Sequence, residues 1–433
     1  MTQIQTSKVN KKTDYSRVEL LAAFKSVRKT SVEICRPLET EDYVVQPIED
    51  ISPPKWHLGH MTWFYEQVIL TQCAPGYKPF SEDYFFVFNS YYDSFGDRVV
   101  RSFRGTLSRP TVKQAYEYRK VIDERMAEFI ESVGEDELPK VAELLVLGLN
   151  HEQQHQELLI TDIKGILLNN PLRPVYLPGA APQESASPGT ARFDSFEGGL
   201  FEFGTEGKSF CYDNETPRHQ AYVQDFKLMD RLITCGEFMA FMIDGGYGTP
   251  QLWLSEGWEA VQNNEWKAPW YWQKRDGQWQ IGTLGGWRPL DPNEPVCHVS
   301  HYEAAAYARW AGKRLPTEYE WELASQSAGN DESANFLDSG HLHPRAAEQS
   351  DGNLRQMRGD VWEWTNSAYL PYPGYVQVMG ALGEYNGKFM NNQMVVRGGS
   401  CATPRDHYRP TYRNFFQSDK RWQFTGFRLA EDV

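Results

Sequence analysis

Between residues 14 and 170 the apolar positions recur three and four apart, the period of an α-helix packed on one face. Val18, Leu21, Phe24 and Val27 mark such a face between Tyr15 and Cys35. Pro53-Pro54 stand where a second helix opens, because a fixed φ and a missing N–H suit the first turn. The segment Trp56 to Leu70 continues from them. Asn89 to Arg109, with Gly, Asp and several Arg, reads as a structured loop. Pro110 and Thr111 open a third helix running to Val133, Gly134-Glu135-Asp136 breaks it, and Leu138 to Leu168 is the fourth and longest. Four helices with a long connection between the second and third predict a four-helix bundle.

The pattern then changes. Residues 171–195 carry Pro171, Pro174, Pro178, Pro182 and Pro188 among Ala, Ser and Gly, the composition of a linker. Residues 196–433 hold short apolar runs with many Gly and Trp. Two short helices are expected there, Thr234 to Asp244 and Ser300 to Ala311. In the second, Ser300 and Glu303 have capping-box spacing, and Gly312 follows where a helix end favours glycine. Short strands joined by structured loops make the remainder an α+β domain. The expected organisation is a helical domain at 14–170, a linker at 171–195 and an α+β domain at 196–433.

Composition narrows the possible partners. The 433 residues carry a net charge of −14, with no long basic run, so a nucleic-acid backbone is a poor partner. No apolar stretch approaches the length that spans a bilayer. The polar stretch from Met1 to Thr13 lacks the apolar core of a signal peptide. A cytoplasmic protein is expected, with its six scattered cysteines reduced. The sequon Asn214-Glu215-Thr216 then carries no meaning. Aromatic residues at 14% suit loop-rich structure, where large side chains do the packing.

The chemistry begins with His151 and His155, four apart on the longest predicted helix. Their imidazoles leave the same face one turn apart, the spacing that lets two rings meet one ion. Gln154, three residues after His151, reaches that face too. A second cluster, Trp56-His57-Leu58-Gly59-His60, stands on another helix of the bundle and offers His60 as a third ligand. Bundle cores assemble metal sites from facing helices in this way. Three histidines leave coordination positions open, and the donor set admits Zn(II), Fe(II) or Cu(II). His151-Glu152-Gln153-Gln154-His155 also spells the H-E-x-x-H string of zinc metallopeptidases, in which Glu152 would be the general base. No G-x-x-H follows His155 and the bundle already offers His60, which makes the peptidase the alternative reading.

Two long strings resemble one family. Ser52-Pro53-Pro54-Lys55-Trp56-His57-Leu58-Gly59-His60-Met61-Thr62-Trp63-Phe64 and Asn150-His151-Glu152-Gln153-Gln154-His155-Gln156-Glu157-Leu158 resemble N-terminal signatures of ergothioneine-biosynthetic sulfoxide synthases. Pro316-Thr317-Glu318-Tyr319-Glu320-Trp321-Glu322, Gly359-Asp360-Val361-Trp362-Glu363-Trp364, Arg397-Gly398-Gly399-Ser400 and Gly426-Phe427-Arg428-Leu429-Ala430 resemble those of a domain of the formylglycine-generating-enzyme type. The resemblance runs from Arg17 to the C-terminus. It implies the fold class α + (α+β), a DinB-like four-helix bundle followed by a C-type-lectin-like domain.

The same resemblance implies a non-heme iron enzyme, with Fe(2+) held by His60, His151 and His155 and with His57 packed beside them. The implied reaction joins a thiol to C2 of the imidazole of hercynine using O2 and oxidises the sulfur to a sulfoxide. Gln154 matches a glutamine that orients the hercynine imidazole. Asn414, followed by Phe415 and Phe416, matches the residue that meets its trimethylammonium and carboxylate end. Phe416 stands where some members have an acidic residue, and an aromatic face can hold a cation instead. Tyr91-Tyr92 resemble the cysteine-using subtype, in which a phenol gives a proton during oxygen reduction; γ-glutamylcysteine is the alternative thiol. Arg101 and Arg104 are candidates for the thiol's carboxylate, which suits a guanidinium fork. Oxidation of protein cysteines to formylglycine needs a cysteine pair in the C-terminal core, and Cys401 stands alone there. That domain is expected to act as a substrate-binding lid over the metal.

Overall fold

Ser16 opens the first helix: its hydroxyl accepts from the Glu19 N–H while the Glu19 carboxylate reaches back, the reciprocal pair that satisfies orphan donors. Helix α1 (Arg17–Cys35) buries Leu20, Phe24, Val27, Arg28, Ser31 and Ile34. Val18, expected on that stripe, is 78% exposed. The true stripe is turned because Arg28 and Ser31 continue it as buried polar residues, which an apolar pattern does not register.

Helix α2 (Pro54–Phe64) begins with Pro54 in its first turn, and all its residues are buried. It runs into a π-helical turn, Tyr65–Leu70, and one further α turn, α3 (Thr71–Cys73). A short helix the pattern did not predict, α4 (Glu82–Val87), follows. The loop beyond it contains a 3-10 helix, Arg101–Thr106. Thr111 and Gln114 form the capping box of α5 (Val112–Ser132). Helix α6 (Leu138–Leu168) has the predicted bounds. Helices α1 and α2 each pack against α5 and α6, around a core that includes Trp63, Tyr65, Tyr118, Ile122 and Leu145. Gly59 permits one close approach: a Cβ there would overlap the Phe88 ring, so only glycine lets residue 88 close onto α2.

This computed structural model describes residues 15–90, 92, 96–178, 185–329, 332–349, 354–377 and 386–433. The chain divides into two units. One is Met1–Tyr176 with Gly207–Phe210 and Gln377–Gly387, and the other is Leu177–Glu206 with Cys211–Val376 and Lys388–Val433. Part of the expected linker hydrogen-bonds within the second unit, where Leu177 N–H donates to the Leu284 carbonyl and Asn293 Nδ2 donates to the Ser185 carbonyl. The linker's last residues belong to strand β1 (Phe193–Phe196).

The second unit continues with β2 (Gly199–Phe203), β3 (His219–Val223) and β4 (Phe226–Met229). Four helices follow: α7 (Cys235–Ile243), α8 (Ser255–Asn263), α9 (His301–Trp310) and α10 (Glu318–Ser327). Helices α7 and α9 are the two expected. Helix α9 has the Ser300–Glu303 capping box, and Gly312 beyond it takes φ +66°. Helix α10 was missed although Thr317 and Glu320 cap it by the same rule. The remaining strands are β5 (Trp272–Arg275), β6 (Gln278–Thr283), β7 (Gly286–Pro289), β8 (Trp362–Ala368), β9 (Met394–Arg397), β10 (Asn414–Phe416), β11 (Thr425–Gly426) and β12 (Ala430–Asp432). They form sheets β1-β4-β12, β10-β9-β8-β11, β2-β3 and β5-β6-β7 among the described residues. All pairings are antiparallel except β11 on β8. Among the described residues no helix is long and apolar enough to cross a membrane.

Candidate metal centre

Helices α2 and α6 bring His60, His151 and His155 together. One ring nitrogen of each lies within 4.8 Å of the others. The three residues are 1%, 5% and 9% exposed. His60 lies between two indoles, stacked on Trp56 at 4.7 Å and on Trp63 at 5.7 Å. His151 stacks on Phe64 at 4.3 Å. These rings fix the imidazoles by packing.

Proton counting favours a cation there. Burial, then the neighbouring His151, push His60 well below its ordinary 6.5. Burial holds His151 down at about 3, and burial with the adjacent histidines does the same to His155. All three rings are therefore neutral and keep a lone pair. His60 Nδ1 spends its proton on the Phe88 carbonyl at 2.7 Å, which leaves Nε2 bare. The Nδ1 of His151 is buried with no hydrogen-bond partner. Three neutral imidazoles with ring nitrogens this close fit a divalent metal, and the set still leaves coordination positions open.

Glu152, adjacent to His151, faces away into a closed network. It accepts from Ser31 Oγ at 2.6 Å, Arg28 at 2.9 Å and Arg119 at 2.6 Å. Burial works to raise its pKa, yet Arg119 and Arg28 hold it at about 2. With both oxygens taken up by two guanidinium groups and a hydroxyl, and outside the lining of the histidine cavity, Glu152 is not placed to act as a general base there. The peptidase reading of the H-E-x-x-H string loses its catalytic residue.

The histidines line a cavity shared with Ser52, Trp56, His57, Ser90, Tyr92, Arg101, Arg104, Leu158 and Asp162. Tyr92 is 2% exposed and stacks on Trp63 at 5.7 Å; Tyr91 lies outside the described residues. Arg104 is buried, lies over the Trp56 ring at 3.3 Å, and donates to Ser52 Oγ and Ser90 Oγ, each at 2.9 Å. Arg101 is half-buried and donates to the Asp50 carbonyl. Neither arginine is exposed at the surface. Gln154 is half-buried on α6 and is not among the residues lining the cavity.

Asn414, Phe415 and Phe416 belong to the second unit, on β10, in register with Val396, Val395 and Met394 of β9. Phe415 stacks on Tyr369 at 4.0 Å, and Phe416 meets Trp422 edge-on at 5.5 Å. Asp162 is a cavity residue that the sequence reading did not single out, although it lies seven residues after His155 on the same helix, a spacing that could have marked it.

A helical bundle that presents three histidines to a cavity, followed by a sheet-containing unit, defines a two-part protein with a candidate metal site. Comparison with known proteins agrees for each part. Residues 23–159 match the DinB superfamily, and residues 180–433 match the sulfatase-modifying factor enzyme 1-like domain. The chain is 32% identical to hercynine oxygenase of Mycolicibacterium smegmatis, over 66% of this chain and 71% of that one. It is 37% identical to hercynine oxygenase of Mycobacterium tuberculosis over 51% of this chain and 56% of that one. It is also 29% identical to formylglycine-generating enzyme of Streptomyces coelicolor over 59% of this chain and 93% of that one. The chain belongs to the hercynine oxygenase family. It is thus an oxygenase, and its histidine cluster is the place in the described structure where a metal fits.

Proposed function

We propose that this protein is a non-heme iron(II) sulfoxide synthase of ergothioneine biosynthesis that joins cysteine to C2 of the hercynine imidazole. The observation that carries this reading is the convergence of three neutral imidazoles, His60, His151 and His155, on the cavity that also holds Tyr92, Arg101 and Arg104. Iron bound there would supply a site for the thiolate sulfur and the activation of O2. In the overall balance one oxygen atom ends on sulfur, and the other leaves as water with the thiol hydrogen and the C2 hydrogen.

The remaining roles belong to the chain. Arg101 and Arg104 offer guanidinium groups to the thiol's carboxylate. Tyr92 holds a phenolic proton on the cavity wall, where oxygen reduction consumes protons. Tyr91 is assigned the same chemistry on resemblance alone. On resemblance alone, Gln154 is assigned to the hercynine ring, and Asn414 with Phe415 and Phe416 to its trimethylammonium and carboxylate end, an aromatic face serving the cation. The domain organisation in this reading is the helical metal-binding part at 14–170 and the substrate-binding part at 196–433. The reaction runs in the cytoplasm, where six reduced cysteines are the default.

Incubation with iron(II), hercynine and cysteine should give the sulfoxide in air and none under strict anaerobiosis. Equal product without O2 would sink the mechanism. Competition between cysteine and γ-glutamylcysteine in one assay decides the thiol. Tyr92→Phe should shift product from the sulfoxide toward cysteine sulfinate; an unchanged ratio would remove Tyr92 from the proton's path.

A further inference from the structure

Asp162 and His57 form a chain that ends on His155. Asp162 Oδ2 accepts from the Ser52 N–H at 2.9 Å and faces His57 Nε2 at 2.9 Å. His57 Nδ1 in turn lies 2.8 Å from His155 Nδ1. Asp162 and His57 are each 2% exposed. The placement of the protons follows. The oxygen facing His57 already accepts a backbone N–H, so His57 Nε2 supplies the proton of that contact. A neutral imidazole has only one N–H, so His57 Nδ1 is bare and accepts. The proton between the two Nδ1 atoms therefore sits on His155, and the lone pair of His155 is left at Nε2.

We propose that Asp162 and His57 are positioning residues that lock His155 in the tautomer with Nε2 bare, aim its ring, and thereby set the affinity of the centre for its divalent metal. The proposal rests on the three-histidine reading of that centre. His60 receives the equivalent support from a backbone carbonyl, which is neutral. His155 receives it from a carboxylate relayed through a second imidazole. A carboxylate behind a ligating imidazole raises its basicity, and such outer partners carry about 10–100-fold in metal affinity. The chain therefore makes His155 a stronger donor than packing alone would.

The test is anaerobic titration of metal-free protein with Co(II), read by its ligand-field absorption, and with Fe(II). Four proteins suffice: wild type, Asp162→Asn, His57→Phe and His57→Gln. Asp162→Asn should weaken Co(II) binding about 10–100-fold and alter the ligand-field bands. His57→Phe should do the same. His57→Gln restores an amide oxygen opposite the His155 Nδ1–H and should recover most of the loss. Thermal unfolding of the metal-free proteins separates these effects from loss of fold. Should His57→Phe fail to fold, Asp162→Asn, with nearly the same volume, decides alone. Wild-type affinity and spectrum in Asp162→Asn would overturn the proposal, as would equal weakening by His57→Gln and His57→Phe. A wild type that takes up no Co(II), or a His151→Phe protein that binds it as tightly, would instead overturn the three-histidine reading.

Discussion

Buried charge is handled differently in the two units. In the second unit each of four buried carboxylates meets a guanidinium: Glu318 takes two hydrogen bonds from Arg413 at 2.8 and 2.9 Å, Glu363 pairs with Arg428, Glu322 with Arg397 and Glu215 with Arg409. Arg413 and Arg428 also donate to backbone carbonyls. Such sites are closed and serve to hold short strands and loops together. The helical unit holds a network of that kind at Glu152, paired with Arg28 and Arg119. One residue away on α6 the logic reverses, and His151 keeps a buried nitrogen without a partner. The difference separates scaffold from site. Paired charge costs stability when broken, because the abandoned partner stays buried, whereas an unspent lone pair is retained for something absent from the chain.

The sharpest way to break this contrast is a pair of neighbouring substitutions on α6. His151→Phe keeps a ring to stack on Phe64 and removes the lone pairs. Metal uptake and turnover should fall more than 100-fold, beyond the roughly 10–100-fold owed to partners that only orient a ligand. Urea unfolding of the metal-free protein should be unchanged or shifted toward greater stability. Glu152→Gln should do the opposite. It breaks a fully buried network and should cost about 3–5 kcal/mol of stability, while the folded fraction still binds metal. If Glu152→Gln instead abolished turnover at wild-type stability, the carboxylate would be catalytic and the contrast would collapse.

Much of the helical unit was legible in the sequence, because its information is local. Proline at the start of α2, capping residues before α5, and the glycine break before α6 all act within a turn or two. The error at Val18 arose where long-range partners decide: Arg28 is buried because Asp123 and Glu152 wait for it, 95 and 124 residues away. For the same reason Glu152 had no visible job until Ser31, Arg28 and Arg119 surrounded it. The histidine cluster was legible since i,i+4 spacing and a second His-rich string survive in one dimension. The Asp162–His57–His155 chain was not, since it joins α2 to α6 across 105 and 98 residues. In the second unit the short strands carried little pattern of their own. Their pairing, such as β8 with both β9 and β11, is set by contacts distant in sequence. Helix α10 is a different miss, a local capping signal hidden inside a string read only as a family signature.

The smallest expected effect concerns acid, and it sets Asp360 of the second unit against His151 and Glu152 of the first. His151 is held at about 3 in the folded protein against an ordinary 6.5. Between those values the unfolded chain binds the proton and the native state does not, so stability is lost as pH falls from 6.5 toward 3. Glu152, at about 2 against 4.5, adds the same sign in a lower window, 4.5 to 2. Asp360 of the second unit behaves oppositely. Burial, only partly offset by donors from Arg345 and Asn335, raises it to about 6 from 3.8. There the native state binds the proton first, so acidification from 6 to 3.8 gains stability. The urea midpoint of metal-free protein should therefore fall from pH 7 to pH 5, less steeply in His151→Phe and more steeply in Asp360→Asn. An Asp360→Asn slope equal to wild type would mean that Asp360 is already ionised across this range, held as firmly as the carboxylates paired with guanidinium groups.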